Sequence, residues 1–267
     1  MKKSLKGRLT IVGSGIKLAA HLTLEAKAYI EQSEKCLYLV NDPAMEQWLL
    51  TLNPQAESLQ NLYAGPQPRS HIYQTIAEKI LSSVRHGEDV CVVFYGHPSV
   101  FVSPTRIALQ QAKQEGYVAK ILPGISAEDC LFSDLCIDPG QYGCQSYEAT
   151  DFLLYKRQYD AHSHLILWQI GEIGNIYLSE DKIRTQANLQ LLVNELFNQY
   201  NPSHQVVVYE AALYAGFEPL MHWLALKDLP DYQPSHIATL YVTPLAQNPI
   251  DIAMVNQLGI TNSSTKN

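Results

Sequence analysis

Arg69 and Tyr73 stand four residues apart at the start of a stretch whose apolar spacing predicts a helix over Ile72–Val84, so they share one face. A guanidinium beside a phenol favours the phenolate, which would make Tyr73 a base or proton relay. The commoner fate of a Tyr/Arg pair at this spacing is packing or a surface contact, and most of the 16 tyrosines must serve as amphipathic packing residues. A second group of candidates lies in two turns. Tyr95-Gly-His-Pro-Ser-Val-Phe101 closes the apolar run Val90–Phe94, and Pro123-Gly-Ile-Ser-Ala-Glu-Asp129 closes the run Val118–Leu122 before a helix opens at Ser126. Open α/β sheets place their ligands where strand ends break into such turns, against backbone N–H groups and the positive end of a helix.

Each candidate has a plainer explanation beside the chemical one. Ser126 with Asp129 three residues on resembles a capping box, and a cap and a ligand contact are compatible. His97 before Pro98 serves equally as a turn former or a ligand contact. Gly13-Ser14-Gly15 ends the first apolar run as a dinucleotide loop would, but lacks the third glycine and the acidic residue closing the next strand; a tight strand-to-helix turn explains it better. Glu128 and Asp129 read as first-turn acids complementing a helix dipole, and Glu172 has no paired carboxylate that sequence reveals. His162 and His164 have no carboxylate at metal-ligand spacing and read as surface histidines. The five cysteines are odd in number and lack a Cys-x-x-Cys spacing, so a core role is expected and no metal site.

These residues must be held by an alternating scaffold. Strand-like runs at Leu9–Val12, Cys36–Val40, Val90–Tyr95, Val118–Leu122, His164–Ile170, Val206–Glu210 and Ile237–Thr243 alternate with helical patterns at Ile72–Val84, Thr105–Glu115, Ser126–Leu135 and Leu189–Tyr200. The expectation is an α/β protein with mostly parallel sheets, divided into two α/β lobes at 1–117 and 118–260, with a polar tail over 261–267. The 267 residues are 46% hydrophobic and 17% charged, which suits a soluble globular chain with a sizeable core. A net charge of -7 without any basic run argues against nucleic acid or an anionic membrane as partner. The basic start, Met1 to Arg8, leads into too short an apolar run for a signal segment, and no stretch is long enough to span a bilayer, so a cytoplasmic location is expected.

The sequence resembles the tetrapyrrole-methylase superfamily, the class III S-adenosylmethionine-dependent methyltransferases, from Gly13 to Thr239-Leu240. It departs from the cobalamin and sirohaem enzymes where they carry Gly-Pro-Gly-Asp and this chain has Gly15-Ile-Lys-Leu18. It departs again where they carry Gly-Asp-Pro and this chain has Gly96-His97-Pro98. Both departures disfavour a tetrapyrrole substrate. The match is closer to the borosin branch, which methylates backbone amides of a ribosomal peptide. It is carried by Tyr95–Phe101, Pro123–Phe132, Ile137-Asp-Pro139, Tyr147–Phe152, Trp168-Gln-Ile170 and Tyr209-Glu-Ala211. Tyr63, Arg69, Tyr73 and Tyr95 also keep the order and spacing of that branch's catalytic set.

The resemblance implies a cofactor, S-adenosyl-L-methionine, leaving as S-adenosyl-L-homocysteine, in the cleft between the lobes. Its implied contacts are Tyr95, His97, Val100, Phe101, Ser126, Ala127, Gln169, Ala211, Ala238 and Thr239. Tyr73 with Arg69 would manage the amide proton, while Tyr63 and Tyr95 would position the amide and stabilise charge on its carbonyl oxygen. Fungal borosin enzymes are fused to their substrate, and no Val/Ile-rich core segment follows Ile260. The expectation is therefore a separate precursor peptide gripped by a homodimer, a heterotetramer with two precursor chains. Methylation of a tetrapyrrole or other small molecule, and a non-enzymatic scaffold binding cofactor and peptide, are the competing readings.

Overall fold

The computed structural model describes residues 7–40, 42–63, 67–175 and 185–260; the polar tail expected at 261–267 lies outside them. Strands β1 (Arg8–Gly13), β2 (Lys35–Leu39), β3 (Glu57–Ser58), β4 (Asp89–Phe94) and β5 (Val118–Ile121) form a first sheet in the order β3-β2-β4-β1-β5, with every pairing parallel. Its central strands are continuous apolar runs because helices cover both faces. Side chains alternate across the sheet. Leu9, Ile11, Val90 and Val92 meet α3 (Arg69–Arg85) and α4 (Ser103–Gln114), while Val12, Cys91 and Val93 meet α1 (Leu24–Gln32) and α2 (Pro43–Leu52). The Cys36 and Cys91 thiols are buried there, and burial pushes both up in pKa.

The second sheet contains β6 (Cys144–Glu148), β7 (His164–Trp168), β8 (Gln205–Glu210), β9 (Leu220–Ala225) and β10 (Thr239–Val242), ordered β6-β7-β10-β8-β9. Only β6 and β7 run parallel; β10 is antiparallel to both β7 and β8, and β9 to β8. Parallel character is thus concentrated in the first lobe. The helices of this half are α5 (Ala127–Asp134), α6 (Pro139–Tyr142), α7 (Ala149–Leu154), α8 (Thr185–Leu196) and α9 (Ile252–Gln257). One face of the sheet packs under α7 and α8. The other presents Ile166, Trp168, Val207 and Tyr209 to α5 and to Ile16 from the first half.

Besides the largely antiparallel second sheet, the structure differs from the sequence-based expectation at the lobe boundary, at β9 and at His164. β5 is hydrogen-bonded to β1, so the chain leaves the first sheet after Ile121 and not at 117. The connection from α4 to β5 at that boundary is an ordinary helix-to-strand turn. β9 was not foreseen because Leu220, Met221, His222 and Trp223 are all exposed, which leaves no alternation to read. His164, expected on the surface, is buried, and its Nδ1 lies 2.7 Å from the Tyr241 hydroxyl. Desolvation there lowers its pKa.

Candidate active site

Three strand ends of the first sheet are locked together by glycine. After β1, Gly15 and Gly96 exchange backbone hydrogen bonds of 3.2 and 3.1 Å, as an isolated bridge. A Cβ on Gly13 would stand 2.1 Å from the Gly96 carbonyl oxygen, and one on Gly124 would stand 3.2 Å from it. The Gly13-Ser14-Gly15 turn therefore uses its small residues to let the β4 and β5 turns approach it. It is not the tight strand-to-helix turn expected, since α1 begins only at Leu24, and of this segment the following Ile16 reaches the cleft.

The stacked turns aim Tyr95, His97, Val100 and Phe101 into a cavity of about 280 Å³ between the two sheets. This lies at the small end of small-molecule sites. The His97 Nδ1 accepts the Ser99 N–H at 3.0 Å and its carbonyl accepts the Val100 N–H, so the turn-former role holds while the residue also lines the cleft. Phe101 has φ 55°, an uncommon left-handed conformation for an aromatic residue, and its ring lies 5.7 Å from that of Trp168. Ser126 completes a capping box: its Oγ accepts the Asp129 N–H, and Asp129 Oδ2 accepts the Ser126 N–H at 2.7 Å. Ser126 and Ala127 border the same cavity.

The second sheet closes the cavity with Trp168, Gln169, Tyr209, Glu210, Ala211 and Thr239. Gln169 follows β7 in the left-handed region, φ 58° and ψ 42°, where the strand breaks into a 3₁₀ turn over Ile170–Glu172. Ala238 does not reach the cavity. It is fully buried behind the wall, where its carbonyl accepts the Ile170 N–H at 3.0 Å.

Of the tyrosine–arginine set, Tyr63, Tyr73 and Tyr95 line the cavity, while Arg69 lies outside the lining, one turn before Tyr73 on α3. The rings of Tyr63 and Tyr73 are 6.4 Å apart and tilted. Burial raises the Tyr63 phenol above its ordinary range; the Tyr73 hydroxyl adds to the rise and the Arg69 cation opposes it. Burial likewise pushes Tyr95 up to about 12. Both phenols therefore keep their protons at neutral pH and are hydrogen-bond donors. Arg69 begins α3, earlier than the periodicity from Ile72 indicates, and its Nη2 donates to Glu172 Oε2 at 3.0 Å, 103 residues away.

Sequence reasoning had not placed Trp168 or Glu210 in the site, nor Glu172 beside Arg69. Trp168 and Glu210 end strands, a position that could have marked them; the Glu172 contact has no local signal. Among the described residues, no group of three or more His, Cys, Asp or Glu side chains is placed to hold a metal ion, and no helix is long and apolar enough to cross a membrane.

The family model for tetrapyrrole (corrin/porphyrin) methylases matches residues 8–221, most of the chain and all of the cleft except its last wall. The chain belongs to that family. Among curated members of similar sequence is the methyltransferase/ribosomally synthesized cyclic peptide dendrothelin A precursor of Dendrothele bispora. It is 41% identical over 256 residues, 94% of this chain and 61% of the relative. The corresponding omphalotin A precursor of Omphalotus olearius is 40% identical, with the same coverage. Further curated relatives, 35–42% identical, are named borosin cyclic peptide precursors and bear out the resemblance to borosin-type methylases; the chain spans about three-fifths of the length of the first two relatives. Uroporphyrin-III-C-methyltransferase from Thermus thermophilus superposes with a TM-score of 0.65 at 17% identity, covering 95% of this chain and 97% of that one. At that identity it confirms the tetrapyrrole-methylase fold.

Proposed function

We propose that this methylase transfers methyl groups from S-adenosyl-L-methionine to backbone amide nitrogens of a ribosomally made precursor peptide, acting repeatedly along one substrate. The precursor would be a separate chain, and the working assembly a cytoplasmic homodimer carrying two precursors. The observation that carries the reading is that Tyr63, Tyr73 and Tyr95, which sequence order alone aligns with the borosin set, meet in one cavity with the turns implied to hold the cofactor.

The cavity fits such a cofactor. Val100, Phe101 and Trp168 offer apolar and aromatic faces for a purine. The Glu210 carboxylate and the aromatic faces suit a molecule bearing positive charge. Ser126, Gln169 and Thr239 add polar contacts at its edge. When bound, the cofactor supplies a methyl group already attached to a good leaving group.

What remains for the protein is alignment and proton management. A peptide nitrogen is a poor nucleophile because its lone pair is delocalised into the carbonyl. The neutral Tyr63 and Tyr95 phenols would donate hydrogen bonds to the amide oxygen, stabilising the imidate as charge develops there. Tyr73, beside Tyr63, would take or relay the N–H proton as the N–CH₃ bond forms. The pairing of Arg69 with Glu172 revises the simplest form of this scheme: the guanidinium is not an unshared activator of Tyr73 but half of an ion pair.

Co-expression with a short peptide encoded beside its gene, followed by mass spectrometry, tests the reading. Peptide mass should climb in methyl steps. Tyr73→Phe and Arg69→Ala should abolish those steps while S-adenosyl-L-homocysteine still binds. Methylation of a tetrapyrrole instead, or peptide binding without a mass change, would overturn it.

A further inference from the structure

Helix α3 begins in an electrostatically adverse way. Its cap residue is Pro68, which offers no side-chain acceptor, and its first turn contains no acidic residue. The first helical residue is a cation, Arg69, at the end where the helix dipole favours anions. The missing negative charge arrives from the other lobe, through the Glu172 carboxylate. Both side chains are largely buried, 24% and 21% exposed, so solvent screens the pair only weakly. The same carboxylate oxygen also accepts from Asn175 Nδ2 at 2.8 Å.

Glu172 is itself held in place. Its N–H donates to the Gln169 carbonyl at 2.9 Å, which ties it to a residue of the cavity wall. In the same turn, a Cβ on Gly171 would meet the Ser235 carbonyl oxygen at 2.1 Å. That turn is thus pressed against the segment leading to Thr239. On the other side of the pair, Arg69 Nε is buried and has no hydrogen-bond partner among the described residues. A buried, unpaired donor on a guanidinium whose Nη2 is already gripped is a group held in position at a cost.

From these contacts we infer that Glu172 is a positioning residue of the site. Its carboxylate grips Arg69 between the lobes, fixing the guanidinium one turn before Tyr73 on α3, and ties that geometry to the Gln169 wall. The consequence for turnover rests on the peptide-methylation reading; the consequence for Arg69 does not.

Glu172→Gln keeps the shape and removes the charge, while Glu172→Asp keeps the charge on a shorter arm. The Arg69 Nε–H resonance, assigned by its loss in Arg69→Lys, reports the grip without any substrate. In Glu172→Gln its hydrogen exchange should accelerate by about tenfold or more as the guanidinium is released, with partial protection retained in Glu172→Asp. With peptide, kcat should fall by about tenfold or more in Glu172→Gln while peptide KM and the Kd for S-adenosyl-L-homocysteine change by less than about twofold, and Glu172→Asp should recover part of the loss. Unchanged exchange in Glu172→Gln overturns the inference whatever the activity. So does unchanged kcat in an enzyme that methylates peptide. Accelerated exchange in a protein whose wild type methylates no peptide supports the grip and sinks the peptide reading instead.

Discussion

Gly13→Ala is the sharpest perturbation the fold offers. Gly13 does not occupy the left-handed region, so alanine brings no backbone strain and the whole effect comes from one added carbon. That carbon would lie 2.1 Å from the Gly96 carbonyl oxygen and 2.8 Å from Pro98 Cδ. The first neighbour is backbone in a turn bonded to Gly15, so no side-chain rotation relieves the clash. To reach ordinary contact the β4 turn must retreat by roughly 1 Å, and overpacking of this kind costs about 1–3 kcal/mol. For a chain of this size that corresponds to a Tm lower by about 2–10 °C. The functional effect should be larger than the stability effect, because the displaced turn carries Tyr95 and His97. A misplacement of about 1 Å in a positioning element can cost on the order of a hundredfold in rate. Calorimetric titration with S-adenosyl-L-homocysteine, at a temperature where the variant is folded, should show affinity weakened by about tenfold or more. Unchanged affinity together with an unchanged Tm would refute the claim that these glycines serve the approach of one turn to another.

Other outcomes follow from the same geometry. The Tyr159 and Tyr200 hydroxyls are buried without hydrogen-bond partners among the described residues, their rings stacked 6.2 Å apart. Tyr159→Phe and Tyr200→Phe should each be neutral or stabilising by up to about 1 kcal/mol in urea unfolding, and a clear destabilisation would mean the hydroxyls do find a partner. Ser126→Ala removes the capping box of α5 and should cost about 1 kcal/mol, read as a Tm lower by a few degrees. Burial holds Tyr95, Tyr159 and Tyr241 at about 12, above the ordinary 10.0. Above pH 10 the unfolded chain releases these protons while the folded chain keeps them, so their contribution is complete below pH 10 and is lost as pH rises towards 12. Urea midpoints measured across that interval should fall steadily, and a midpoint flat from pH 9 to 11.5 would contradict the burial of these phenols.

Much of the scaffold and half of the site are legible in the chain. The runs that become β1, β2, β4, β7, β8 and β10 are apolar over most residues because those strands are covered on both faces, while the edge strand β5 is only half-buried. Their ends are marked by Gly, Pro and polar residues. The turn residues Tyr95, His97, Val100, Phe101, Ser126 and Ala127 reach the cavity because each lies within a few residues of a strand end. Ala238 was less legible: a small residue beside Thr239 can face the cleft or the core, and only the packing of Ile170 against it decides.

What the sequence by itself determined is therefore local: which runs are strands, where they break, and the order of Tyr63, Arg69, Tyr73 and Tyr95. Tertiary structure decided everything that depends on which distant segments meet. It put β5 at the edge of the first sheet and β10 antiparallel between β7 and β8. It buried His164 against Tyr241 and gave Arg69 a carboxylate partner 103 residues away. The physical reason is that strand and helix periodicity record only which face of an element is covered, not by what. A charged pair such as Arg69 and Glu172 leaves no periodic trace, and it exists only once the two lobes close on each other.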